Sequence, residues 1–254
     1  MTRRRLITWR QKKKKPVRVY LYLLGSIQNL YRAQKEGKKK KEVYGDYGRR
    51  WRKEFTELVE SVHKEFMERG VDLRIVDPTR LDEKVARSKM DRLQPLFRKL
   101  QEKMKLKELA QRFMPIWLAE VRTIFRFGAT ERVVIISHIA ELKVSGGSAF
   151  ELAYIDMAGI PNYLFAPEDI IKRYPSRHVV VAIRFNGRRI LRRKNIYHSA
   201  EDVIAALKKD LPRILSMNEF PVFGKLFMEL WVKKLLAARK ISEKLARRLF
   251  RIRY

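Results

Sequence analysis

The side chains that could do chemistry gather in a few short segments. Ser145, Gly146, Gly147 and Ser148 form a Ser- and Gly-rich turn, and Glu151 follows three residues later. Such a turn opening a helix offers backbone N–H groups to an anion, a natural seat for a phosphate. Glu151, one turn into that helix, has two readings. It can act on a substrate bound at the turn, or it can simply complement the positive end of the helix dipole. Gly25-Ser26-Ile27 and Asp77-Pro78-Thr79 each follow an apolar run and are further candidates for a ligand-binding edge. Tyr22 lies within the first of those runs, where it can be a functional hydroxyl or plain core.

Other chemistries are excluded or unsupported. There is no cysteine, which removes disulfides, thiolate nucleophiles and cysteine-ligated metals. The four histidines, His63, His138, His178 and His198, lack metal-ligand spacing, so a histidine metal site is not expected. No G-x-x-x-x-G-K-[ST] or G-x-G-x-x-G occurs. No apolar run approaches the roughly 20 residues of a membrane span, and the basic N-terminus is not followed by an apolar stretch. An intracellular protein is the expectation.

Alternating strands and helices must position these segments. Residues 17–27 read as a buried strand ending at Gly25, and 51–70 as an amphipathic helix with Trp51, Phe55, Leu58, Val59, Val62 and Phe66 on one face and Gly70 as its stop. Trp51 is expected to anchor that helix to the sheet. Residues 71–78 read as a second strand ended by Pro78, 81–112 as charged and helical, and Pro115 as a break before an apolar stretch over 116–127. A third strand is expected over 131–137, then a helix ending at Gly159, a short strand over 162–165 and another over 178–185. Ser199 with Asp202 reads as the cap of a helix over 200–211. This pattern predicts an α/β fold of three layers, with a mainly parallel sheet of Rossmann or flavodoxin type and a basic helical C-terminal extension. The expected organisation is a flexible arm over 1–16, an α/β domain over 17–212 with insertions at 28–50 and 81–115, and an extension over 213–254. In such sheets ligands bind beyond the strands' carboxyl ends, where the three candidate segments fall.

In that order YLYLLGSI, Trp51-Arg52 opening a helix, DPTR (77–80) and SGGSAFELAYIDMAGIP (145–161) resemble the nucleoside 2-deoxyribosyltransferase superfamily. The likeness is greatest to its 2′-deoxynucleoside 5′-phosphate N-hydrolase branch and covers about 17–165 in pieces. The resemblance implies cleavage or transfer of an N-glycosidic bond, without a cofactor. Glu151 would attack the anomeric carbon, Tyr22 would orient it, and Glu120 would take the place of the family's aspartic proton donor with one extra methylene. Ser26 and Ser145 match hydroxyls that hold a 5′-phosphate, with Gly25, Gly146 and Gly147 supplying the close backbone. Arg32 is a further phosphate candidate. The resemblance also implies a homo-oligomer whose subunits complete one another's sites.

The charge points elsewhere. Lys and Arg number 59 against 28 Asp and Glu, a formal net charge of +31. Residues 1–16 contribute +8 through Arg3, Arg4, Arg5, Arg10, Lys12, Lys13, Lys14 and Lys15, and residues 184–254 contribute +13, with Arg247 and Arg248 near the end. A surface that repels itself this strongly is stabilised by a polyanion, most commonly nucleic acid. The competing expectation is therefore a non-catalytic nucleic-acid-binding or nucleoprotein component built on the same fold.

Overall fold

The computed structural model describes residues 15–25, 50–87, 90–130, 132–139, 151–153, 155–156, 159–166, 168–173, 180–181, 183–184 and 187–216. Five parallel strands form one sheet: β1 (Val17–Gly25), β2 (Val71–Val76), β3 (Arg132–His138), β4 (Asn162–Phe165) and β5 (Ile196–Tyr197), in the order β2-β1-β3-β4-β5. This is the α/β fold expected from the alternation of elements, and the strand order is the flavodoxin-like one.

Side-chain alternation along β1 separates two cores. Val19, Leu21 and Leu23 face α1 (Arg50–Glu68) and α6 (Ala200–Ser216), meeting Trp51, Phe55, Val59, Val203, Leu207 and Leu211. Tyr22 and Leu24 face the other way, with Val133, Ile135, Leu152, Ile155 and Ile183. Both faces of the sheet are covered, so strands such as VVIIS in β3 carry apolar residues on both sides. A third, small core joins α2 (Pro78–Ala86), α3 (Met90–Glu102) and α4 (Leu106–Thr130) around Phe97 and Ile116. It occupies most of what the sequence marks as the insertion at 81–115.

Local chemistry sets the element ends. The left-handed Gly70 (φ 76°) closes α1, its N–H donating to the carbonyl of Met67 at 2.9 Å. Gly159 (φ 68°) ends the helical residues 151–156 in the same way: its N–H donates to Asp156, and that of Ile160 to Ile155. Ser199 Oγ accepts from the N–H of Asp202 at 3.1 Å, the cap expected for α6. Pro78 is more than the end of a strand. It is the first residue of α2, with Asp77 as the N-cap, because a missing N–H and a fixed φ suit that position.

Two expectations are corrected. Pro115 does not break the chain; it lies inside α4, where Leu109, Phe113 and Ile116 packing on α2 and α3 offsets the lost backbone hydrogen bond. The described part of the run over 178–185 is not a strand. Its described residues 180, 181, 183 and 184 are helical, and the place beside β4 is taken by Ile196–Tyr197. Val180 and Ile183 pack on the second core at helical spacing while Val181 is 64% exposed, a pattern hidden by the β-branched composition. Residues 1–14, 26–49 and 217–254, which hold most of the expected arm and C-terminal extension, lie outside the described residues; 213–216 complete α6.

Candidate functional site

The carboxyl ends of β1, β3 and β4 meet in register, with Gly25 opposite His138 and His138 opposite Phe165. From β1 the chain builds outward to β2 on one side, then returns to build β3, β4 and β5 on the other. β1 and β3 are thus neighbours at the point where the strand order reverses, the switch point beyond which sheets of this class bind ligands.

The α1 side of this edge is built from Trp51, Arg52, Asp77, His138 and Phe165. The Trp51 indole lies against the end of β1: a Cβ added at Gly25 would stand 2.8 Å from Trp51 Cζ2 and 3.3 Å from the His138 carbonyl oxygen. Glycine is required here by close approach. Trp51 also packs on the His138 ring at 4.9 Å and on Phe165 at 5.7 Å, and so anchors α1 to the sheet as expected.

Arg52, 2% exposed, donates from Nη2 to the Gly25 carbonyl at 3.0 Å, and its Nε stands 3.5 Å from Asp77 Oδ1. Its guanidinium lies 4.6 Å from the centre of the Trp51 ring. Asp77 Oδ1 in turn accepts from the N–H of Thr79 at 3.0 Å and its hydroxyl at 2.8 Å. One buried guanidinium thus ties the end of β1 to the N-cap of α2. A charge taken out of water needs such partners to be tolerated.

His138 is the titratable ring of this edge. Burial, reinforced by the Arg52 charge, lowers its pKa from 6.5 to about 4, so it is neutral through the physiological range. The unfolded chain takes up this proton near pH 6.5 and the folded chain only near pH 4. The associated stability is complete above pH 6.5 and is lost as pH falls toward 4, up to about 3 kcal/mol. Replacing His138 by Phe keeps an aromatic ring against Trp51 and Phe165 and removes this proton. Denaturant unfolding at graded pH should show the wild type losing about 2–3 kcal/mol more than His138→Phe between pH 6.5 and 4. Parallel profiles would refute the assignment.

The expected site residues are distributed as follows. Gly25 ends β1 and is buried. Tyr22 is fully buried in β1, on the sheet face that also packs Leu152 and Ile155. Glu151 stands at the first described residue of that covering helix and is half-buried. Glu120 falls in α4, its side chain outside the described residues. Ser26, Arg32, Ser145, Gly146 and Gly147 lie outside the described residues, as do Arg3, Arg4, Arg5, Lys12, Lys13, Lys14, Arg247 and Arg248. Lys15 precedes β1 and is exposed.

The sequence reading passed over the lock formed by Arg52 and the neutral His138. The signal for the first was Asp77-Pro78, a capping pair before a helix, beside an arginine at the start of α1. Among the described residues no cluster of His, Asp or Glu is arranged to hold a metal ion, and no helix is long and apolar enough to cross a membrane. No protein-family model, curated protein or solved structure matches the chain.

Proposed function

We propose that the crevice between β1 and β3 receives a nucleotide and that the chain cleaves or transfers its N-glycosidic bond. The observation that carries this reading is the strand order: β1 and β3 are adjacent and parallel, and the chain reverses its direction of building between them. Ser26 directly follows β1 in the sequence and residues 145–151 follow β3, so both come after the two strands that flank the switch point. Tyr22 and the helix opened by Glu151 share one face of the sheet, which further supports the pairing. The resemblance to nucleoside 2-deoxyribosyltransferases supplies the reaction.

In this reading a Glu151 carboxylate oxygen bonds to the anomeric carbon as the bond to the base breaks. The leaving nitrogen keeps the electron pair and takes a proton, from Glu120 or from solvent. Water, or a second base, then attacks the anomeric carbon and restores the carboxylate. The serine hydroxyls and the N–H groups of the turn hold the 5′-phosphate.

The test is incubation with a panel of deoxy- and ribonucleoside 5′-monophosphates and the matching nucleosides, chromatographed for free base. Base should appear from at least one deoxynucleoside monophosphate, faster than from the nucleoside that lacks the phosphate. No base from any member would overturn the reading.

A second reading is favoured by the net charge of +31, concentrated toward the two ends. There the chain is a nucleic-acid-binding component, and its affinity should fall steeply with salt as condensed counterions are released.

A further inference from the structure

Between α5 (Glu168–Arg173) and α6 the charge is of one sign. Residues 184–200 carry Arg184, Arg188, Arg189, Arg192, Arg193 and Lys194 and no acid. Arg184, Arg188 and Arg192 recur every fourth residue and all are exposed, whereas the residue before each, Ile183, Gly187 or Leu191, is buried. Lys194 is exposed beside them.

The frame beneath these side chains is fixed. A π-helical turn over Gly187–Leu191 is pressed so closely on Asn195 that a Cβ at Gly187 would stand 2.2 Å from Asn195 Oδ1. The Asn195 amide donates to the carbonyls of Asn162 and Ile183 at 2.7 and 2.8 Å, fastening the segment to β4. Arg193 turns inward, its Nε 3.0 Å from Asp210 Oδ1, while the other Asp210 oxygen accepts from the Tyr163 hydroxyl at 2.6 Å. Arg213 Nε donates to the Ile190 carbonyl at 2.8 Å. Arg192 itself holds a left-handed backbone (φ 56°), rare for a residue of its size.

Arg193 and Arg213 therefore serve the frame, whereas Arg184, Arg188, Arg192 and Lys194 are exposed. Arg184, Arg188, Arg192 and Lys194 form no ion pair among the described residues; Glu168, whose charge reaches Lys194, is already paired with Lys172 at 2.7 Å. An array of exposed cations on a rigid turn suits a polymer of regularly spaced phosphates, and a guanidinium fork matches a phosphate better than an ammonium does. A membrane surface is favoured by apolar side chains beside the cations, and among the described residues Val181 is the one exposed large hydrophobic residue near the array.

We propose that this turn is a preformed platform for the phosphate backbone of nucleic acid, engaged independently of base sequence by Arg184, Arg188, Arg192 and Lys194. It rests on the nucleic-acid reading above and locates part of the contact made by the basic stretch 184–254 within the folded domain.

The full chain is titrated, by fluorescence anisotropy at graded salt, against a short labelled DNA duplex, the matching RNA duplex and phosphatidylserine vesicles. The variant carries Arg184→Gln, Arg188→Gln, Arg192→Gln and Lys194→Gln. Its affinity for nucleic acid should fall at least about tenfold near physiological salt, and the slope of log affinity against log salt should shrink by about 3. A control with Lys99→Gln, Lys103→Gln, Lys105→Gln and Lys107→Gln removes the same charge from other exposed positions and should lose less than about threefold. Equal losses in the two variants, or none in the first while the wild type binds, overturn the platform and leave the nucleic-acid reading standing. A wild type that binds neither duplex, or vesicles alone, overturns both. Should the fourfold variant melt early, Arg188→Gln decides: the platform requires a slope change near 1, and no change refutes it.

Discussion

Arg52→Leu is expected to destabilise the fold by about 3–5 kcal/mol, the cost typical of breaking a buried ion pair from one side. The substitution keeps most of the aliphatic volume. It leaves the Gly25 carbonyl without its 3.0 Å donor and the Asp77 carboxylate without a buried counter-charge. It also withdraws the guanidinium from the Trp51 face. In thermal melting the loss should appear as a fall on the order of 10 °C. Asp77→Asn retains an acceptor for the Thr79 N–H and so keeps the cap of α2, but removes the charge. The double variant should therefore be less destabilised than the two single effects added, with a coupling of about 1–3 kcal/mol. A single Arg52→Leu within about 0.5 kcal/mol of the wild type would show that the lock carries no stability.

The parts of the fold that a one-dimensional pattern encodes were legible. The apolar runs of β1 and β3, the three- and four-residue spacing of α1 and the Ser199 cap are local features, and each predicted its element. The misses share a cause. A two-residue strand such as Ile196–Tyr197 has too few positions to show a period, whereas the valines at 179–181 look like a strand although their described part is helical. Pro115 looked like a breaker because its effect was weighed without the core of Phe97 and Ile116 that holds α4 together.

The edge where the strands end was legible, and the contacts made there were not. That Gly25, Asp77 and the end of β3 at His138 fall at one edge of the sheet follows from parallel strands alone. That Arg52 would hold both Gly25 and Asp77 does not: the partners lie 27 residues before and 25 after it, and their meeting depends on the register of β1 with β2. The lowered pKa of His138 likewise arises from burial and from a cation brought by another element.

The central claim is that the carboxylate beside the Ser- and Gly-rich turn attacks the sugar. The most direct measurement is kcat/KM for base release by Glu151→Gln, on the deoxynucleoside monophosphate that the wild type turns over best. Glutamine keeps the shape and polarity of the half-buried side chain, so the melting temperature should stay within a few degrees of the wild type. Without a nucleophile the rate should fall at least about a thousandfold, roughly 4 kcal/mol of transition-state stabilisation, with KM little changed. A folded Glu151→Gln that releases base at the wild-type rate would contradict the account.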